Sequence, residues 1–254
     1  MNALDKVVAI LEAFLKEGGE LRLTDLCEIT GLSKSTVYVI THGLIDKGLL
    51  TQRGRRGTYF LGVKFIEFAD LVKANLNVAE AAKPFLAELC EATNETAELV
   101  VRDGPYAVVV ASVAANHLLS TQGTGKWAVR IPLHCTACGK VLAAFVAPDE
   151  WRSLRGTLEL FAETPKTITD LATLERQLVT VRAEGVAVDD EEAETGIRSV
   201  AAAVRDASGD VVAAVDIIGA ELRLGDDVME RYGDLVKGCA REISKALGYK
   251  APAG

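Results

Sequence analysis

His134-Cys135-Thr136-Ala137-Cys138 sets an imidazole beside two thiols three residues apart, a spacing that suits a metal ion or a redox pair. A structural zinc needs four ligands, and no second Cys/His pair follows; His117 and Cys239 are the only distant candidates. The flanking residues do not supply the βαβ context of a thioredoxin-like pair, so the motif reads as pocket wall or core. A metal- or redox-responsive role for Cys135 and Cys138 is the alternative. Asp189-Asp190-Glu191-Glu192 is a run of carboxylates that suggests acid/base chemistry, but adjacent acids more often serve as caps and dipole partners at a helix start. Arg53-Gly54-Arg55-Arg56-Gly57 concentrates guanidinium groups, whose chemistry is contact with phosphate. No P-loop, G-x-S-x-G elbow or H-E-x-x-H is present. The chain is therefore not read as an enzyme, and no cofactor is implied.

The elements that must position the arginines come first in the chain. Leu4, Val7, Val8, Leu11 and Leu15 recur at helical spacing over 3–16, before Gly18-Gly19. Leu23-Thr24 offers an N-cap for a short helix to about Thr30, which Gly31 ends. Ser33 caps a third helix, 34–47, that stops at Gly48. Helix, glycine-containing turn and helix make the helix-turn-helix plan. On a helical wheel Val37, Ile40 and Leu44 form the buried stripe, so Ser35, Tyr38 and His42 face outward and Lys34 sits at the N-terminal end, where recognition helices reach bases and phosphates. Two strand-like stretches, 49–52 and 58–61, flank the arginine-glycine run as a hairpin. The expected DNA contacts are Lys34, Ser35, Thr36, Tyr38, His42, Arg53, Arg55 and Arg56.

A net charge of −8 seems to oppose a polyanion partner, but its distribution does not. Residues 1–62 carry eight Lys/Arg against seven Asp/Glu, and 33–64 carry six against Asp46 alone. Phosphate contact is a local matter, and this is the locally basic stretch. The 254 residues, 49 % hydrophobic and 25 % charged, describe a globular chain of one large or two smaller domains. No signal-peptide layout and no run of about 18 uncharged apolar residues is present, and five scattered cysteines make no disulfide framework. A soluble cytoplasmic protein with no membrane partner is expected.

Beyond residue 62 the pattern is helical over 63–75 and 78–92, with an interruption at Leu76-Asn77. "AELVVRDG", "YAVVVASV" and "HLLSTQGTG" read as strands, followed by helical stretches over 137–145 and about 149–184. Two further strands surround a Ser-Gly-Asp turn within 199–219, and a helix over 226–247 closes the chain. Helices flanking a mixed or antiparallel sheet make an α+β domain. Asp216 stands out in the apolar strand "VVAAVDIIG", where alternation puts Ala214, Asp216 and Ile218 on one face. A carboxylate buried there, beside Asp189, demands a raised pKa or a hydrogen-bond donor from a ligand; the opposing reading has Asp216 facing solvent or a basic side chain.

"LTDLCEITGLSKSTVYVITHGLIDKGLLTQRGRRGTYFLG" resembles the DNA-binding half of the IclR family of bacterial transcriptional regulators. "PLHCTACGKVLAA", "TITDLATLERQLVTVRAEGVAVDDEEAETGIRSVAAAV" and, more loosely, "DIIGAELRL" are similar to the family's later signatures, in order. One departure is Val39, where the family commonly places an arginine. The resemblance implies a winged helix-turn-helix domain (1–62), a linker helix (63–76) and a GAF-like effector-binding domain (77–254). It implies an effector pocket with Thr136, Ala137 and Cys138 as one wall and Asp189, Ser199, Ala201, Asp216 and Ile218 as the other. Leu119 and Ile131 add an apolar side. The small residues before Gly139-Lys140 would leave a helix N-terminus open to a carboxylate. Expected partners are a pseudo-palindromic double-stranded operator, a small organic acid or amide-like effector, and a second copy of the chain as a homodimer or dimer of dimers.

Overall fold

A computed structural model describes residues 2–54, 57–75, 77–115 and 130–250. Leu119, His117, Arg55, Arg56 and the expected strand over 117–125 therefore lie outside the described residues. The chain divides into two compact units, residues 1–75 and 76–254.

In the first unit, α1 (Ala3–Glu17) begins with a reciprocal cap: Asn2 N–H donates to Asp5 Oδ2 at 2.8 Å and Asp5 N–H to Asn2 Oδ1 at 2.9 Å. α2 (Leu23–Thr30) is capped at Arg22, two residues before the Thr24 hydroxyl that the sequence offers. The Asp25 carboxylate takes the Arg22 N–H at 2.8 Å and anchors the turn, which a search for a hydroxyl N-cap overlooks. Gly31 ends α2 in the left-handed region at φ 67°, and Ser33 Oγ accepts the Thr36 N–H to open α3 (Lys34–Asp46). Strands β1 (Leu50–Gln52) and β2 (Tyr59–Leu61) pair antiparallel, and Leu21 adds a two-hydrogen-bond bridge to Tyr59. Ile10, Phe14, Leu26, Val37, Leu44 and Tyr59 form the core. Helix α4 (Lys64–Asn75) follows.

The buried stripe of α3 is Val37, Thr41 and Leu44, with Ile40 only partly buried. Thr41 enters because its hydroxyl donates to the Tyr38 carbonyl at 3.1 Å, which removes the cost of taking it from water.

The second unit opens with α5 (Asn77–Thr93) and continues through β3 (Thr96–Asp103), β4 (Tyr106–Val113) and β5 (Ile131–Pro132). α6 (Ala137–Ala144), α7 (Pro148–Leu154) and α8 (Leu171–Glu184) precede β6 (Val186–Asp190), β7 (Ile197–Arg205), β8 (Val211–Ala220) and α9 (Asp226–Ala246). The strands form an antiparallel sheet in the order β5-β4-β3-β8-β7-β6. Alternation gives it two apolar faces. Leu99, Val215 and Ile217 pack with Leu86 of α5 and Val236 and Ile243 of α9. Val100, Ala201 and Ala214 pack with Val141 of α6 and Leu174 and Leu178 of α8.

The helical region expected over 149–184 is two helices, because residues 155–170, with Gly156 and Pro165, leave the helical path. Asp170 then caps α8, its Oδ2 accepting the Thr173 N–H at 2.8 Å. The run Asp189-Asp190-Glu191-Glu192 does not start a helix. It closes β6 and turns through Glu191 at φ 58°, so its carboxylates act in tertiary contacts rather than on a helix dipole.

Candidate functional site

The outward face of α3 carries Lys34, Ser35 and Tyr38, all exposed, with His42 half-exposed and Tyr38 at 51 %. Tyr38 and His42 stack at 3.9 Å between ring centroids, and His42 Nδ1 lies 3.0 Å from the Tyr38 carbonyl oxygen. A carbonyl only accepts, so Nδ1 carries the proton of this contact. The Thr36 hydroxyl lies 2.8 Å from Ser33 Oγ, within the cap that starts the helix. Val39, exposed beside Tyr38, adds an apolar surface to the same helix. On the wing, the Arg53 guanidinium lies 4.7 Å over the Phe60 ring. Gly57 admits no side chain: a Cβ there would fall 1.4 Å from the Arg53 carbonyl oxygen. Arg53 flanks this tight turn, its N–H donating to the Thr58 carbonyl at 3.1 Å.

In the second unit the acids converge on the α6 face of the sheet. Glu98 on β3 lies directly across from Asp216 on β8, Asp216 opposes Ala201 on β7, and Ser199 opposes Asp189 on β6. Cys138, in the first turn of α6, is close enough to Asp216 for its thiol to act as a hydrogen-bond donor. Thr136, Cys138, Asp189, Ser199, Ala201 and Asp216 are buried and Ile218 is partly so; Ile131 sits on β5 opposite Ala107, in the core under α6.

Asp216 does not face solvent or a basic group. It is 3 % exposed and its Oδ1 has no hydrogen-bond partner. Burial, then the neighbouring Glu98 and Asp189 charges, holds its carboxyl well above the usual range, against hydrogen bonding from Cys138. Burial likewise raises Glu98, while the Ser112 hydroxyl, donating at 3.3 Å, opposes the rise. Asp189 is pushed up to about 7 by burial, although its Oδ1 accepts the Glu192 N–H at 2.7 Å and Lys140 is near.

Lys140 is fully buried, its Nζ 2.5 Å from Glu192 Oε1, and is committed to holding α6 against the turn after β6. Sequence reasoning missed this pair, as it missed Glu98 and Ser112. Glu98 carried the same signal as Asp216, a lone acid in an apolar strand. The Thr136 hydroxyl accepts the Gly139 N–H at 3.1 Å and donates to the Pro132 carbonyl at 2.9 Å, fixing the start of α6.

Thiol chemistry is disfavoured. Burial first, and Asp189 next, pushes Cys135 up to about 12; burial and Asp216 raise Cys138 well above the ordinary thiol. His134 Nε2 is 3.0 Å from the Phe161 carbonyl oxygen, so it donates there. Among the described residues no group of three or more His, Cys, Asp or Glu is arranged to hold a metal ion. A groove of about 410 Å³ on the α9 face, lined by Val186, Val188, Met229 and Lys237 among others, lies away from these acids. Among the described residues no helix is long and apolar enough to cross a membrane.

Residues 3–54 match the model of the IclR helix-turn-helix domain and residues 71–245 that of the bacterial transcriptional regulator IclR C-terminal region. The chain is 30 % identical over 251 residues, 99 % of each sequence, to the HTH-type transcriptional regulator XynR of Escherichia coli K12. It is 31 % identical over 250 residues, 98 % of this chain and 92 % of the relative, to that organism's HTH-type transcriptional repressor AllR. The crystal structure of Thermotoga maritima IclR superposes with a TM-score of 0.76 at 32 % identity, covering 98 % of this chain and 100 % of that one.

Proposed function

From the premise that the chain belongs to the IclR family of bacterial transcriptional regulators, we propose that α3 and the wing read a two-fold operator while the acid-lined face of the sheet under α6 takes the effector that controls this binding. The chain is a DNA-binding regulator with a helix-turn-helix domain and a C-terminal effector domain. The observation that carries the finer reading is the exposed polar face of α3 on a helix whose opposite face is fully packed. On this reading Lys34, Ser35, Tyr38 and His42 meet the major groove, while Arg53, with Arg55 and Arg56, meets the backbone. Thr36 contributes by fixing the first turn.

One winged helix covers one half-site, so affinity calls for a second copy. The apolar residues left exposed on α1, Leu4 at 70 % with Val8 and Leu15, and Ile66 on α4 support pairing through these helices. α4 is the proposed connector. An effector acts by binding the DNA-competent and incompetent arrangements with different affinity, and repression, as in the AllR relative, is the proposed output. A small organic acid suits the helix start at Ala137 and Cys138, ahead of the Gly139 N–H that Thr136 already takes, and Asp216 Oδ1 calls for a hydrogen-bond donor on the same molecule.

The test is a thermal-shift screen of the full chain against small carboxylates, amides and aromatic acids, with each stabilising compound carried into band-shift assays on DNA selected from random sequence by the protein. A compound that stabilises the chain and changes its DNA affinity is expected. DNA selection that yields no two-fold site, or ligands that leave DNA affinity unmoved, would sink the reading.

A further inference from the structure

Glu98 and Asp216 are neighbours on adjacent strands, across the sheet from each other, with Asp189 on the same face. Four acids meet here from three elements and one turn: Glu98 from β3, Asp216 from β8, Asp189 from β6 and Glu192 from the turn after it. Against them stands Lys140 of α6, which is bound to Glu192. β4 contributes the Ser112 hydroxyl and the first turn of α6 the Cys138 thiol, neither of them a cation. β7 contributes Ser199 and Ala201. Among the described residues, no Lys or Arg pairs with Glu98 or Asp216.

Two carboxyls that share a proton can satisfy each other without help. Here they do not, because Asp216 Oδ1, in a residue 3 % exposed, is left with no donor. A neutral amide or hydroxyl would supply that hydrogen bond but no positive charge to balance the carboxylates once they ionise. A protonated nitrogen supplies both, and does so where water is excluded and an ion pair is strongest.

We propose that Glu98 and Asp216 recognise a protonated nitrogen, an ammonium or amidinium group, on the effector, so that the pocket takes an organic cation or a zwitterion. The assignment rests on the reading of this pocket as the effector site. A zwitterion would place its carboxylate at the start of α6 and its cation against the acid pair. Burial holds both carboxyls above the ordinary range, and a bound cation favours their ionised forms. Protons are therefore released on binding, and affinity rises with pH until the ligand's own nitrogen loses its proton.

The test is calorimetry on the full chain between about pH 6 and about pH 8, in two buffers of different ionisation enthalpy. The probes are acetamidine, β-alanine and γ-aminobutyrate, each against its uncharged or anionic counterpart: acetamide, propionate and butyrate. At least one cationic probe is expected to bind roughly tenfold or more tighter than its counterpart. Its affinity should rise by up to about tenfold per pH unit for each proton released. Asp216→Asn and Glu98→Gln should each abolish that preference and reduce the proton release; two variants are used so that one misfolded protein does not decide the matter. Equal or tighter binding of the counterparts, no binding by any cationic probe, or a preference that survives both substitutions overturns the assignment. Band shifts on the same samples keep the two readings apart. A cation that binds with proton release and leaves DNA affinity unchanged supports this assignment and sinks the effector reading; a carboxylate without a cation that binds and changes DNA affinity does the reverse.

Discussion

Arg53, held over Phe60, and Tyr38, stacked on His42, are ordered before any DNA arrives, so less side-chain entropy is lost on contact. Their roles separate under salt. Arg53→Ala should weaken binding uniformly across sequences and lower the slope of log affinity against log salt by about 1, since one phosphate contact is lost. Tyr38→Ala should leave that slope unchanged and relax base preference by about 1–3 kcal/mol at one position. Fluorescence anisotropy over a salt series, on the selected site and its single-base variants, separates the two. At this scale the sequence was legible wherever residue type matches environment, as at Val37 and Leu44. It misled at Thr41 and Lys140, polar types that enter the interior because a partner meets them: the Tyr38 carbonyl for one, Glu192 for the other. No periodicity encodes a partner fifty-two residues away.

α6 shows how an element depends on local chemistry. Its start is a hydroxyl cap at Thr136 above a glycine that nothing larger can replace: a Cβ at Gly139 would lie 2.6 Å from the Pro132 carbonyl oxygen and 2.7 Å from Leu133 Cα. Those atoms are backbone and cannot swing aside. Gly139→Ala should therefore destabilise the C-terminal unit by about 1–3 kcal/mol, as overpacking does. Thr136→Val, which keeps the shape and loses the cap, should cost about 1 kcal/mol. Urea unfolding of the full chain, followed by a probe confined to the second unit, measures both, and a neutral Gly139→Ala would contradict the geometry. The cap-and-glycine logic that located α3, and the glycines that end α1, worked because those signals lie within one turn. It failed at 149–184, where helical-looking composition continues across a break, and at Asp189–Glu192, where strand pairing overrides a helix-start pattern.

For the whole molecule, two sets of carboxyls pull the pH dependence in opposite directions. Asp216, Glu98 and Asp189 are raised in the folded chain, so the stability they contribute is complete below the ordinary carboxylate range and is lost as pH rises, for Asp189 through about 7. Asp170, Glu175, Glu191 and Asp206 are lowered, chiefly by hydrogen bonds from Thr173, Trp151, Lys166 and Ser208 respectively; what they contribute is present above that range and fades on acidification. Asp216→Asn removes a carboxyl of the first set. It should raise the melting temperature of the C-terminal unit near about pH 8, with the gain shrinking as pH falls toward the ordinary carboxylate range, where the unfolded carboxyl takes up its proton as well. Scanning calorimetry of the full chain over that span of pH checks this, and a uniform loss of stability would place the carboxylate in a stabilising contact instead. On the proposed reading the charge division has its own consequence at this scale: phosphates would repel the acidic C-terminal part and attract the basic wing.

The sequence alone determined what depends on neighbours in the chain: the helix-turn-helix, the wing, the α+β class, and the lone acid at Asp216 in an apolar strand. These follow from periodicity, caps and turn residues, which act over a few residues. Tertiary structure decided what depends on strand order. Only pairing β3 with β8, more than a hundred residues apart, and β8 with β7 and β7 with β6 brings Glu98, Asp216 and Asp189 onto one face. Their protonation follows from that assembly, because burial and mutual repulsion are properties of the folded site and of no single residue in it.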